Sequence, residues 1–228
     1  TATNRRINTR IKESSWKTVR NELNKDYSKE AREYLNSRGI TDNIIKDFGI
    51  GLSSSDTSAL TKQLQGKGYF TPDFEILSLS KGGRDSFIDR IIVPINDERG
   101  RVVAFGGRIY KSSSTESKYK NPTETPLFKK GNTVFNLDRA SKCLLEYNHL
   151  IIVEGYMDVI QAISKGIPNM VALMGTAMTE TQANLIKKYT NNVVLMLDGD
   201  KAGLNAMKSV IVRLEAVGIN YKVVMLKD

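Results

Sequence analysis

Three carboxylates that follow two apolar runs are the residues of this sequence best suited to chemistry. Glu154 follows the run at 150–153, and Asp198 and Asp200 follow the run at 193–197. Each run is short, rich in branched aliphatic residues and followed by an acid and a glycine, which is typical of a buried parallel strand. Because ligands bind beyond the carboxyl ends of parallel strands, the three carboxylates are predicted to converge at one edge of a sheet.

The chemistry that this arrangement favours is the binding of divalent cations. Carboxylates that converge repel one another unless a cation lies among them, and oxygen ligands favour Mg²⁺ or Mn²⁺ over zinc. Cys143 and His149 are the only residues of their types, so the chain cannot form a zinc site of the Cys/His kind. A lone Asp-Gly-Asp is usually an ordinary turn, but a second acid-glycine pair after another strand favours the metal interpretation.

These two motifs resemble a known family. The sequences Glu154-Gly155-Tyr156-Met157-Asp158 and Asp198-Gly199-Asp200-Lys201-Ala202-Gly203 are similar to those of the Toprim domain, which bacterial primases, type IA and II topoisomerases and certain nucleases share, and look most like those of DnaG-type primases. The resemblance implies two or more Mg²⁺ or Mn²⁺ ions, with three catalytic residues that also bind metal, Glu154, Asp198 and Asp200, and with Asp158 as a further ligand.

Several individual roles stay open in this interpretation. Glu154 could ligate metal or act as a general base. Asp158 could ligate metal, orient a ligand, or only stabilise the first turn of a helix. Lys201 could contact a triphosphate or offset local charge. The resemblance explains Tyr156 without assigning it any chemistry.

The pattern around these motifs predicts an α/β fold. After residue 150, strands at 150–153, 170–174, 193–197 and 220–226 alternate with helices at 158–165, 179–189 and 201–217, and right-handed crossovers would bring the carboxyl ends of the strands to one edge. Before residue 150, one helix is predicted within 1–27 and two within 28–50, the second of them at 42–48. Further helices are predicted at 59–66 and 137–147, and strands at 90–95 and 101–108 are predicted to form a hairpin. We therefore predict an α+β amino-terminal subdomain, residues 1–142, followed by a Rossmann-like Toprim domain with a parallel central sheet, residues 143–228.

Positive charge is concentrated in the region that precedes the predicted Toprim domain. The chain has a formal net charge of +9, and residues 99–130 contain eight Lys or Arg against only Glu116 and Glu124, whereas residues 149–228 contain eight basic and seven acidic residues. A basic region beside a nearly neutral catalytic region indicates a groove for nucleic acid.

Particular basic and aromatic residues are candidates for that groove. Arg84, Arg90 and Arg108 are expected on the open face of the hairpin sheet. Residues 111–130 are expected to form a long surface loop, which either has a function or is simply a solvated charged segment. The motif at 117–131 resembles the basic motif of primases, which implies that Lys118 and Lys130 hold phosphate, while Tyr119 could stack on a base. Arg38 occupies the place of a basic residue that faces the family's groove, although it could simply complement a helix dipole. The predicted nucleotide- and DNA-binding residues are Arg38, Arg84, Arg90, Arg108, Lys118, Tyr119, Asn121, Lys130 and Lys201.

The remaining features of the sequence concern the cellular location of the protein and the extent of the chain. A single cysteine fits a reducing cytoplasm, and neither a membrane span nor a signal peptide is recognisable. The chain begins at Thr1 and ends at Asp228, before a further acidic motif of the family, so we expect a fragment without the family's zinc-binding and helicase-binding domains.

The resemblance implies a DNA-dependent RNA polymerase that makes short primers at the replication fork in the nucleoid. Its partners would be single-stranded DNA template, ribonucleoside triphosphates, the RNA–DNA hybrid and, through a missing domain, the replicative helicase. Two alternatives stay open: a Toprim nuclease or topoisomerase, and a nucleic-acid-binding module without catalytic activity.

Overall fold

The computed structural model describes residues 2–25, 28–111, 115–175, 177–197, 199 and 201–224, except for the side chains of Ala2, Lys201 and Ala202. The chain forms two compact units: unit 1 comprises residues 1–95 and 102–129, and unit 2 comprises residues 96–101 and 130–228. The predicted fold class, α+β followed by a parallel α/β sheet, is confirmed. The functional boundary between residues 142 and 143 stays a prediction.

Helices account for much of the described part of unit 1. They are α1 (Ala2–Glu22), α2 (Lys29–Ser37), α3 (Asp42–Phe48), α4 (Ala59–Gly66) and α5 (Thr71–Ile76). The bounds of α3 and α4 are those predicted. Helix α3 ends because Gly49 adopts a left-handed φ of 66°, and the indole N–H of Trp16 donates to the Gly49 carbonyl at 2.9 Å, which anchors α1 to this turn.

Unit 1 contains a four-stranded sheet in the order β1-β4-β5-β6 and a short hairpin, β2–β3. The strands are β1 (Gly51–Leu52), β2 (Ser80–Lys81), β3 (Arg84–Asp85), β4 (Ile91–Asn96), β5 (Val102–Arg108) and β6 (Tyr119–Lys120). The sheet packs with α1, α4 and α5 around a buried core that includes Ile11, Leu64, Phe74, Leu77, Ile92 and Phe105.

The prediction of a continuous loop over 111–130 is wrong at β6. Tyr119 and Lys120 pair antiparallel with Arg108 and Gly107 of β5. A two-residue strand is too short to produce an alternating pattern in the sequence. It forms because the edge of β5 offers backbone donors and acceptors that need partners.

Unit 2 is built on a parallel sheet in the order β10-β9-β7-β8. Its strands are β7 (Leu150–Val153), β8 (Met170–Ala172), β9 (Asn192–Leu195) and β10 (Asn220–Val223), and its helices include α8 (Tyr156–Ser164), α9 (Glu180–Lys187) and α10 (Lys201–Ala216). All three pairings are parallel, as predicted. The chain adds β8 on one side of β7 and β9 on the other, so the switch point of the sheet lies between β7 and β9.

The predicted helix at 137–147 is broken into three short pieces. Helix α6 (Leu137–Ala140) is followed by a 3₁₀ turn (Ser141–Cys143) and by α7 (Leu144–Tyr147). Leu137 and Ala140 are buried, whereas Leu145 is fully exposed. Short helices depend on packing for their stability, and here the core buries Leu137 and Ala140 of α6 but only partly buries Leu144 of α7.

Among residues 2–224 as far as they are described, no helix combines the length and the apolar character needed to cross a bilayer.

Candidate functional site

Glu154 lies at the carboxyl end of β7, beside the switch point of the sheet. Its carbonyl accepts a hydrogen bond from the Met174 amide at 3.2 Å, and the Val153 carbonyl accepts one from Leu173 at 3.2 Å, so the end of β8 fixes one side of the backbone. On the other side, the Met196 amide donates to the Ile152 carbonyl at 2.9 Å. The half-buried Glu154 side chain therefore begins from a backbone position held by strands on both sides.

Asp158 supplies a second carboxylate close to this strand end. It lies in the first turn of α8 and is exposed, and a β-carbon built on Gly155 would come within 2.5 Å of its Oδ2. The absence of a side chain at Gly155 thus gives the Asp158 carboxylate room beside the turn that follows Glu154. Two hard oxygen donors at the ligand-binding end of a parallel sheet fit a divalent cation.

The aspartate pair of the predicted metal site lies outside the described residues. Asp198, Asp200 and the side chain of Lys201 are not described by the structure. The flanking Leu197 is buried. Within the described part of the chain, no group of three or more His, Cys, Asp or Glu side chains could hold a metal. The three-carboxylate site therefore stays a prediction.

Tyr156 belongs to the core of unit 2. It is 4% exposed, and its ring centroid lies 5.9 Å from that of Phe135 in a tilted arrangement. Phe135 in turn forms an antiparallel bridge with Ala172 of β8. This burial gives Tyr156 a packing role between α8 and the sheet.

Lys130 lies at the same edge of the parallel sheet as Glu154. It begins a 3₁₀ turn (Lys130–Asn132), and its side chain crosses Gly175, since a β-carbon there would lie 2.9 Å from Lys130 Cε and 3.1 Å from Nζ. Gly175 directly follows Met174, whose amide is bonded to the Glu154 carbonyl. Within unit 2, a cationic side chain from this turn thus passes over the end of β8, next to the end of β7 that carries Glu154.

The position of Lys130 depends on Gln182, a residue that sequence reasoning missed. The Gln182 side chain is 1% exposed, and its amide group donates to the carbonyls of Thr133 at 2.8 Å, Lys130 at 3.2 Å and Leu173 at 3.4 Å. Gln182 thereby links the turn that carries Lys130 to the end of β8.

Thr179 completes this attachment. Thr179 and Gln182 form a capping box at the start of α9, and the Thr179 hydroxyl also donates to the carbonyl of Gly131. The Thr-x-x-Gln spacing could have revealed the capping box, but no local pattern indicates the contacts with residues 130–133.

Arg38, Arg108 and Tyr119, three of the predicted nucleic-acid-binding residues, meet around Tyr34, which was not predicted. Arg108 lies 4.6 Å from the centroid of the Tyr119 ring and 5.4 Å from that of Tyr34, and its Nε donates to the Tyr34 hydroxyl. Arg38 lies 5.6 Å from the same Tyr34 ring. We call these four residues of unit 1 the Arg–Tyr cluster, in which Arg38 and Tyr119 are exposed.

The expectation that the hairpin arginines lie on an open face is wrong for two of them. Arg108 is 2% exposed because the rings of the Arg–Tyr cluster cover it, and Arg90 is 3% exposed. Arg90 donates to the Ser117 carbonyl at 3.0 Å and forms an ion pair with Glu116 at 2.7 Å. Buried guanidinium groups need such partners, so these two arginines hold the segment that carries Tyr119. Arg84, Lys118 and Asn121 are exposed.

Comparison with known proteins agrees with this arrangement of a basic α+β unit and a parallel sheet with strand-end acids. Residues 18–141 match the family described as DNA primase catalytic core, N-terminal domain, and residues 151–228 match the family described as Toprim-like. The fold and the motifs thus define the class of protein, a primase-type amino-terminal core domain followed by a Toprim-like domain. The chain belongs to the DNA primase catalytic-core family.

Relatives in sequence are named DNA primase. That of Aquifex aeolicus (strain VF5) is 40% identical over 205 residues, covering 88% of this chain and 41% of the relative. That of Staphylococcus aureus (strain COL) is 37% identical over 203 residues, covering 86% of this chain and 34% of the relative. The chain therefore spans less than half the length of these relatives.

Solved structures give the same result. The structure of the Aquifex aeolicus primase zinc-binding and RNA polymerase domains superposes with a TM-score of 0.89 at 36% identity, covering 99% of this chain and 56% of that one. A DnaG primase catalytic domain bound to single-stranded DNA superposes with a TM-score of 0.92 at 30% identity, covering 100% of this chain and 73% of that one.

Proposed function

We propose that this chain is the polymerase core of a DNA primase, which joins ribonucleotides into short RNA primers on a single-stranded DNA template. The observation that carries this proposal is the meeting of Lys130 and the Glu154 strand end at one edge of the unit 2 sheet. A cation beside carboxylates suits a triphosphate substrate that approaches together with its metal ions. The names of the relatives, and the neighbour bound to single-stranded DNA, support the choice of substrate.

The metal would be Mg²⁺ or Mn²⁺, with two or more ions held by Glu154, Asp158, Asp198 and Asp200. When bound, such ions lower the pKa of an attacking hydroxyl and neutralise charge on the leaving pyrophosphate. The protein contributes the position of the ligands: paired strands fix the Glu154 backbone, and Gly155 leaves room for the Asp158 carboxylate. Glu154 itself would be a ligand or the general base that receives the proton of the hydroxyl.

Template and nucleotide would be held by basic and aromatic side chains together with one amide. Arg38 and Tyr119 extend from the Arg–Tyr cluster, where a base could stack on the exposed tyrosine ring. Lys118 and Lys130 would bind phosphate as flexible point charges. Arg84, Asn121 and Lys201 complete the proposed contacts, whereas Arg90 and Arg108 position the segment that carries Tyr119.

The wider setting is part of the same proposal. The product would be an RNA–DNA hybrid, and the enzyme would work at the replication fork in the cytoplasm. The replicative helicase would bind a region outside this chain.

Primer synthesis by the isolated chain tests the proposal. Single-stranded template, four ribonucleoside triphosphates and Mg²⁺ or Mn²⁺ should give short RNA products. Glu154→Gln should abolish them while thermal melting and template binding stay nearly unchanged, and Glu146→Gln, at an exposed carboxylate of α7, serves as the control.

Other outcomes of this experiment would support a different function. Cleavage or relaxation of DNA without ribonucleotides would indicate a nuclease or topoisomerase. Template binding with neither activity would indicate a binding module. Full primer synthesis by the Glu154→Gln variant would refute the assigned site.

A further inference from the structure

Unit 1 contains a large pocket on the face of its sheet opposite to the Arg–Tyr cluster. The pocket has a volume of about 650 Å³, a size typical of small-molecule sites. Successive side chains of a strand point to opposite faces, so Tyr119 and Lys120 of β6 diverge. Tyr119 contacts Arg108 in the cluster, whereas Lys120 lies 5.7 Å from the centroid of the Phe87 ring and lines the pocket.

A buried lysine forms part of the pocket wall. Lys12 of α1 is 3% exposed and lies 5.0 Å from the centroid of the Phe105 ring, and its ammonium group donates to the Leu77 carbonyl at 2.9 Å. An ammonium group has three donors, and lysine is rarely buried this fully without a negative partner. Among the ion pairs between described residues, none involves Lys12.

The carboxylates that line the pocket are already engaged within the fold. Asp85 accepts hydrogen bonds from the amides of Leu60 at 2.7 Å and Thr61 at 3.0 Å, at the start of α4. Glu75 accepts one from the Gly82 amide at 2.7 Å. These backbone donors hold both acids in structural roles.

The remaining charge of the pocket is positive. Three exposed cations, Lys81, Arg84 and Lys120, line it together with the buried Lys12. The half-buried ring of Phe87 and the hydroxyl of Ser80 add an apolar surface and a small polar group. Four cations beside an aromatic ring match the parts of a nucleotide, which are phosphates and a flat base.

We propose that this pocket binds the phosphate groups of a nucleotide, with Lys12 at its inner wall and Lys81, Arg84 and Lys120 at its exposed side. The phosphate could belong to a free nucleoside polyphosphate or to the backbone of a nucleic-acid strand. Because Arg84 is also one of the proposed template or nucleotide contacts, this inference rests in part on the proposed function. All four cations belong to unit 1 and phosphate binding here needs no metal, so a binding measurement without metal tests it separately from primer synthesis.

The ionisation of Lys12 gives this site a second property. Desolvation by burial lowers the pKa of Lys12 to about 7. The charged groups that line the pocket with it are Glu75 of α5, Lys81 of β2, Arg84 and Asp85 of β3, and Lys120 of β6. A bound phosphate would favour the charged ammonium and raise this pKa, so phosphate binding should weaken as the pH rises above neutrality.

Calorimetric titration of the chain in low salt with EDTA tests the proposal. The probes are pyrophosphate, ATP and an oligothymidylate, and EDTA removes any contribution of metal-bound sites. The double variant Lys81→Ala/Arg84→Ala should weaken pyrophosphate and ATP binding by about tenfold or more. The control Lys17→Ala/Lys29→Ala removes the same charge from exposed positions of α1 and α2 and should change binding by less than about twofold.

The probes separate the two sources of phosphate. Loss of pyrophosphate and ATP binding in the pocket variant would identify a free nucleotide, and selective loss of oligothymidylate binding would identify a strand backbone. Equal losses in the pocket and control variants, or binding of none of the probes, would overturn the proposal.

A measurement on the unaltered chain avoids any substitution of the buried lysine. The ¹³Cε signal of Lys12, followed by NMR as a function of pH, should titrate at least about one pH unit higher with pyrophosphate than without it. The Lys81→Ala/Arg84→Ala variant should lose this shift. A Lys12 titration that pyrophosphate leaves unchanged would contradict the assignment of Lys12 to the site.

Discussion

Lys130 crosses Gly175 so closely that a β-carbon at position 175 would lie 2.9 Å from Lys130 Cε. This contact places the lysine at the end of β8, next to the residue whose amide is bonded to the Glu154 carbonyl. Glycine at position 175 therefore allows Lys130 to keep this position, whereas the backbone of residue 175 has no left-handed φ that would itself require glycine.

The first prediction concerns this crossing. In Gly175→Ala, the new methyl group should displace the flexible end of Lys130 at little cost in stability. We expect kcat/KM for primer synthesis to fall by about tenfold, or about 1.4 kcal/mol, while Tm changes little. Gly66→Ala is the matched control, because a β-carbon at Gly66 would meet nothing within 4 Å. Equal activity in the two variants would show that the position of Lys130 is unimportant.

The second prediction concerns the attachment of the Lys130 turn by Gln182. Gln182→Leu removes the donor to the Thr133 and Lys130 carbonyls and the acceptor of the Thr179 amide, so buried polar groups lose their partners. The free energy of unfolding should fall by about 2 to 4 kcal/mol in urea denaturation. Gln182→Glu keeps the acceptor but not the donor and should also be destabilised.

A conservative change nearby provides the control for Gln182. Thr179→Ser retains the hydroxyl that caps α9 and contacts Gly131, so its stability should stay within about 1 kcal/mol of the parent. A fully stable Gln182→Leu protein would show that the turn needs no attachment to α9.

The third prediction is a pH dependence of stability caused by Lys12. Burial lowers its pKa from 10.5 to about 7 in the folded state. Between these values the unfolded chain binds more protons than the folded chain, so the contribution of Lys12 to the free energy of unfolding rises with pH. The rise should be at most about 1.4 kcal/mol per pH unit.

Lys12→Met isolates this contribution. Urea denaturation from pH 7 to 10 should give a flatter profile for Lys12→Met than for the parent, whereas Lys17→Met, on the exposed side of the same helix, should retain the parent slope. Parallel profiles for the parent and Lys12→Met would mean that Lys12 does not titrate in this range.

The fourth prediction concerns the salt dependence of template binding. If Lys118 and Lys130 each contact a phosphate, Lys118→Ala and Lys130→Ala should weaken single-strand binding. Each should also reduce the slope of log K against log salt concentration by about 0.7. Fluorescence anisotropy over a salt series measures both effects, with Lys17→Ala as the control. An unchanged slope would argue against a phosphate contact.

The sequence by itself determined many of the elements and the end of the sheet at which chemistry is expected. The bounds of α3 and α4 and the four parallel strands follow from caps, glycines and short apolar runs, which are local signals. The position of Glu154 at the end of β7 follows from the same signals, because parallel connections bring the carboxyl ends of the strands together.

Only the tertiary structure decided which side chains meet. Arg108 and Tyr34 are 74 residues apart in the chain, and Gln182 and Thr133 are 49 apart, so no helical or strand periodicity relates them. The burial of Arg90 and Arg108, the crossing of Lys130 over Gly175 and the pocket beside Lys12 all depend on such distant pairs. Periodicity in a sequence reports which face of an element is apolar, whereas the partner of a polar side chain is set by the packing of elements far apart in the chain.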